Sequence, residues 1–116
     1  MENSYKACAK YIMISPAKLR PVADLVRGKS YEEAYGILMA MPQKGARLIL
    51  KVLESAGANA MFQNNKLDES QLKVSAICID GGPVLKRVWA RSHGKRDILL
   101  KRMSHITVEV SEVVEE

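Results

Sequence analysis

The side chains best equipped for chemistry in this chain are cations, and they are concentrated. Between Gly81 and His105 the sequence reads GGPVLKRVWARSHGKRDILLKRMSH, where Lys86, Arg87, Arg91, Lys95, Arg96, Lys101 and Arg102 face a single acid, Asp97. This window carries a formal charge of +6 and the whole chain +5, so the rest sums to −1. The chemistry on offer is the grip of a polyanion. A guanidinium binds phosphate through two parallel hydrogen bonds and stacks on bases, whereas an ammonium supplies point charge. Trp89, the one tryptophan, lies among these cations and can stack on a base. Consecutive residues of an extended segment point to opposite faces, so each Lys-Arg doublet puts charge on both sides at once. A crevice walled by phosphate would use both sides; one flat surface would not. The plain alternative is a solvated charge run. The length of the window and the apolar residues between the cations (Val84, Leu85, Val88, Ile98, Leu99, Leu100) argue against it, since they can zip two limbs together.

A second, weaker basic patch is Lys18, Arg20, Arg27 and Lys29 against Asp24. Other chemistry is poorly provided for. A metal centre built from Cys8, Cys78, His93 and His105 would need four scattered segments to converge without ligand spacing, so none is expected. No Ser/His/Asp set or Gly-rich phosphate loop stands out, and no cofactor or small-molecule substrate is expected. Cys8 and Cys78 are far apart without a CxxC, and are expected to be small buried hydrophobes rather than a disulfide. No apolar stretch approaches the ~18 residues of a membrane span, and MENSYKACAKY has no signal-peptide core. No membrane partner is expected.

The elements that must position these residues fit one domain of 116 residues, with 47% hydrophobic residues to build a core. A strand is expected over Tyr5–Ile14. Ser15-Pro16 starts a helix with Ser as N-cap and Pro at the first position, running to about Arg27 and stopping at Gly28. Pro21 should kink that helix or delay its onset. The capping box Ser30–Glu33 opens a second helix through about Met41, ended by Pro42. A third runs from about Gln43 to Phe62, with Ile49, Val52, Leu53, Ala56 and Ala60 at helical spacing. Gly57 in its middle costs roughly 1 kcal/mol relative to Ala, which a close neighbouring element would explain. Strands follow at Leu72–Ile79 and Ser104–Val110, and the acidic EVSEVVEE is expected to trail into solvent. Between these strands lies the basic arm, turning at His93-Gly94. Eleven residues per limb at ~3.3 Å each reach on the order of 35 Å, against a body radius near ~13 Å.

These residues resemble a known family, that of large-subunit ribosomal protein twenty-two, the exit-tunnel hairpin family, in its bacterial form. The likeness is carried by YIMISPAKLRPVADLVRGK (11–29), KVLESAGANA (51–60), DGGPVLKR (80–87) and GKRDILLKRMSHITVEV (94–110). It implies an α+β fold: three helices on a small three-stranded antiparallel sheet with a long protruding basic β-hairpin. The body would comprise about 1–82 and 104–116, and the hairpin about 83–103. It further implies a cytoplasmic structural constituent of the large ribosomal subunit that binds several domains of large-subunit rRNA, supports early assembly and adjoins neighbouring ribosomal proteins. The hairpin tip (Trp89, Arg91, Ser92, His93, Gly94, Lys95) would line the exit tunnel and meet the nascent polypeptide. The chain departs from the family pattern at Ala90-Arg91-Ser92 and Lys95-Arg96, keeping charge.

On this likeness His93 sits at the tip and His105 at the start of a sheet strand, too far apart to act together as acid and base of a ribonuclease. His105 is expected to anchor the hairpin base or touch phosphate. The expected RNA contacts are thus Lys18, Arg20, Arg27, Lys29, Lys86, Arg87, Arg91, Lys95, Arg96, Lys101, Arg102 and His105. The alternative is a helix-turn-helix DNA-binding module on the first two helices. Its recognition helix, YEEAYGILMAM, has two acids and no cation to read base edges.

Overall fold

The computed structural model describes the backbone of residues 4–64, 71–90 and 96–112, and their side chains except at 85–90 and 96–100. Along the chain run β1 (Ser4–Ile12), α1 (Pro16–Val26), α2 (Tyr31–Ala40), α3 (Lys44–Gln63), β2 (Leu72–Ala90) and β3 (Arg96–Glu112). The strands form one antiparallel sheet in the order β1-β3-β2. This is the expected α+β architecture.

Central β3 shows why the sheet has one dry face. Ile106, Val108 and Val110 are buried, while His105, Thr107 and Glu109 alternate with them on the other side. The helices cover the dry face. α1 buries Leu19, Val22, Ala23 and Val26, one stripe of a 3.6-residue period. α3 buries Ile49, Val52, Leu53, Ala56 and Ala60, the residues its periodicity marks, and leaves Lys51, Glu54 and Asn59 exposed. Burying each large aliphatic side chain contributes about 2 kcal/mol.

Helix ends follow the sequence with one exception. Ser30 Oγ accepts from Glu33 N at 3.3 Å and opens α2. Ser15 occupies the extended N-cap position of α1, but its side chain makes no capping bond. Pro21 does not delay that helix, which begins at Pro16 and runs through it. The backbone bond it forgoes would have gone to the carbonyl of Ala17, an exposed residue. Gly28, at φ +80°, turns the chain out of α1. There Gly28 N donates to Val74 O at 3.2 Å, and Val74 N donates to Lys29 O at 2.8 Å, pinning the turn to β2. Gly57 has the expected neighbour: a Cβ there would lie 2.7 Å from Tyr31 Cε2.

Three expectations need correction. The strands do not stop at Ile79 or begin at Ser104. Body strand and hairpin limb are one strand, 19 residues in β2 and 17 in β3, with a register shift between Gly81 and Val84. A two-stranded ladder satisfies its own backbone groups, so pairing continues where the core ends. Second, Cys8 and Cys78 are exposed, not buried. Tyr5 and Ile77 point to the core, and strand alternation sends both cysteines to the uncovered face. Both pair with Thr107 from opposite sides, and Thr107 Oγ1 lies 3.7 Å from Cys8 Sγ. Third, the acidic end does not leave the sheet at Val110. β3 reaches Glu112, whose Oε1 accepts from Tyr5 OH at 3.0 Å and Asn64 Nδ2 at 3.3 Å.

Candidate nucleic-acid interface

The hairpin leaves the body at a braced base. Tyr11 adopts φ +60°, rare for a non-glycine residue, at the irregularity between Ala9 and Ile12. That conformation aims its N–H at His105 Nδ1, 3.1 Å away, and sets its ring edge-on to the imidazole at 5.0 Å and 87°. On β2, a Cβ at Gly82 would lie 3.3 Å from His105 Cε1 and 3.2 Å from Met103 Cβ, so the second glycine of the GG pair lets the strand close against the ring. Ser104, fully buried, donates from Oγ to Ile14 O and ties the β1–α1 loop to the same point. His105 therefore anchors the base, as expected.

Beside this base lies an open groove of about 870 Å³ lined by four exposed cations, Lys18 of α1, Lys44 of α3, and Lys101 and Arg102 of β3. Arg102 shares strand parity with buried Ser104 and Ile106 and so lies on the helix side, whereas Lys101 lies on the other face. No acid lines it. None of the four has a carboxylate partner among the described residues. The starts of α1 and α3 also open on the groove through Ser15 and Gln43, neither of which caps its helix with a side chain. They meet because residue 45 is glycine: a Cβ there would lie 2.9 Å from Leu19 Cδ2. Unpaired cations beside helix N-termini make a field that an anion relieves. The body patch and the base of the arm, separate in the sequence, thus share one site at Lys18 and Arg102. Lys44 was missed; its signal is a cation just after Pro42-Gln43, where a helix begins.

The rest of the body patch lies elsewhere. Arg20 Nη2 makes a long contact, 3.5 Å, to Ile79 O, and Arg27 Nη2 donates to Ile77 O at 2.9 Å while its Nη1 pairs with Asp24. Both arginines tie α1 to β2 and are occupied within the molecule, a role the sequence did not reveal. Lys29 is exposed beyond the end of α1.

On the arm, the ladder pairs Val84 with Arg102, Leu85 with Lys101, Lys86 with Leu100, Arg87 with Leu99, Trp89 with Asp97 and Ala90 with Arg96. Arg91, Ser92, His93, Gly94 and Lys95, and with them the expected turn, lie outside the described residues. The 19 residues of β2 at ~3.3 Å each give roughly 60 Å, close to the molecule's 69 Å long axis and far beyond its 25 and 19 Å widths. The radius of gyration, 17.6 Å, exceeds the ~13 Å of a compact chain of this length. The arm projects. Among the described residues no three His, Cys, Asp or Glu are placed to hold a metal ion, and no helix is long and apolar enough to cross a membrane.

Comparison with known proteins fits this geometry. The profile of a family described as "Ribosomal protein L22p/L17e" matches residues 7–111. The large ribosomal subunit protein uL22 of Treponema denticola is 55% identical over 110 residues, covering 95% of this chain and 93% of its own. That of Treponema pallidum is 50% identical over 111 residues (96% and 90%), and that of Desulforamulus reducens 51% over 107 (92% and 94%).

Proposed function

The chain belongs to the ribosomal protein L22p/L17e family, and we propose that it holds large-subunit rRNA along a cationic surface running from the body into the β2–β3 hairpin. It is a structural constituent of the large ribosomal subunit in the cytoplasmic ribosome, with no enzymatic step of its own. The helix-turn-helix alternative is not supported. α2 turns Tyr31, Ala34 and Leu38 into the core and opens on Glu32 and Glu33, an acidic first turn that opposes phosphate.

The observation that carries the RNA-gripping reading is the projecting ladder itself. A two-stranded arm that leaves its core behind lacks a hydrophobic face to hold it, and seven cations make it costlier still away from a polyanion. Lys86, Arg87, Arg96, Lys101 and Arg102 grip rRNA along the limbs, and Arg91 and Lys95 continue the series. Lys18 and Lys29 dock the body, Arg20 and Arg27 doing so with the donors left over from their ties to β2. His105 keeps Nδ1 on Tyr11 and offers Nε2 to phosphate.

In this reading the body, about 1–82 and 104–116, sits apart from the hairpin, about 83–103, at the register shift after Gly81. The tip, from Trp89 through Arg91, Ser92, His93 and Gly94 to Lys95, borders the exit tunnel and meets the nascent polypeptide. The body touches neighbouring ribosomal proteins, and binding several rRNA domains at once supports early assembly. Sedimentation of a lysate through a sucrose gradient tests the assignment: the protein should travel with large subunits, and recovery only in the light fractions would refute it.

A further inference from the structure

The groove beside the hairpin base is not only cationic. Its floor is apolar, made by Met13, Ile14, Pro21 and Val22, and Met13 keeps 47% of its surface exposed although it belongs to no core. A site for phosphate alone has no use for such a floor. Its volume, about 870 Å³, exceeds what a bare phosphate requires.

We infer that this groove receives one unstacked nucleotide of the rRNA, its phosphate held by Lys18, Lys44 and Arg102 and its base lying on Met13 and Pro21. The inference rests on the rRNA-binding reading and adds a defined subsite to it. The two halves of the groove match the two halves of a nucleotide. Lys18, Lys44 and Arg102, from three elements, border the entrance with no carboxylate among the described lining residues, and the α1 and α3 N-termini add their positive ends. Methionine sulfur makes favourable contacts with aromatic rings, and single-stranded RNA presents splayed bases that such surfaces can hold. A strand running along the hairpin limb past Lys101 and Arg102 reaches the groove without leaving the cationic surface.

The test uses the full chain and transcribed large-subunit rRNA, with affinity measured across a salt series and circular dichroism confirming that each variant is folded. Lys44→Gln should weaken binding and reduce the steepness of log affinity against log salt by about 0.7, one phosphate of a single strand. Met13→Ser should weaken binding about two- to tenfold with no change in salt slope, because it removes an apolar contact and no charge. Met13→Leu should restore most of the loss. If Lys44→Gln weakens binding while Met13→Ser binds as the parent does, the groove takes phosphate only and the nucleotide inference fails. Parent-like binding by both variants would place the RNA elsewhere and likewise overturn it. Failure of the parent chain itself to bind would overturn the rRNA reading beneath it, an outcome distinct from the other two.

Discussion

Tyr11 and His105 stand 94 positions apart in the sequence, yet the backbone N–H of one donates to the imidazole Nδ1 of the other over 3.1 Å. Because Nδ1 accepts, the bond assigns the neutral ring's proton to Nε2. The bond depends on Tyr11 keeping φ at +60°, so local strain is exchanged for a fixed hairpin base.

That exchange has an energetic signature. His105→Ala should lower stability by about 1–2 kcal/mol, the worth of one hydrogen bond and an edge-on ring pair. At position 11, Gly should be less harmful than Ala by roughly 1 kcal/mol, although both delete the ring, because Gly accepts positive φ without cost. Urea unfolding of the three variants measures this. An Ala variant as stable as the Gly variant would show that position 11 is unstrained.

Two glycines of the helices should respond in opposite directions. Gly57→Ala would place a methyl 2.7 Å from the buried ring of Tyr31, and should destabilise by about 1–3 kcal/mol through overpacking. Gly36→Ala, on exposed α2 surface with no atom within 4 Å, should stabilise by about 0.5–1 kcal/mol. Thermal melts of both variants give the answer, and a shift of the same sign in both would contradict the α3–Tyr31 packing.

Much of this fold was legible from local pattern. Ser30 and Glu33 announced α2 because a capping box is complete within four residues, and the stripe from Ile49 to Ala60 announced the buried face of α3. Gly57 hinted at its neighbour through the helix propensity it gives up. What escaped depends on residues distant in sequence. Nothing about a tyrosine signals positive φ, and Tyr11 takes it for the sake of His105. Lys44 joins Lys18 and Arg102 only because Gly45 lets two helix starts approach. The cysteines were misjudged because residue type outweighed strand parity: a cysteine is usually buried, but position 78 lies between Ile77 and Ile79, which point inward.

The exposed cysteines provide a further check. Cys8 and Cys78 flank Thr107 across two strand spacings, on the order of 9.5 Å, beyond the ~7 Å that a disulfide spans. Both thiols should react with Ellman's reagent without denaturant, releasing two equivalents. An intact mass lacking two hydrogens in the unreduced, folded protein would contradict the register of all three strands.

The central claim is that rRNA lies on both faces of the hairpin, and tethered hydroxyl-radical probing addresses it most directly. With Cys8 and Cys78 replaced by serine, an iron chelate would be attached at Val88→Cys or Asp97→Cys. These positions have opposite strand parity, since Val88 pairs with Ile98 and Asp97 with Trp89. In reconstituted large subunits the account predicts rRNA scission from both positions. Scission from one position alone, or from neither, would contradict it.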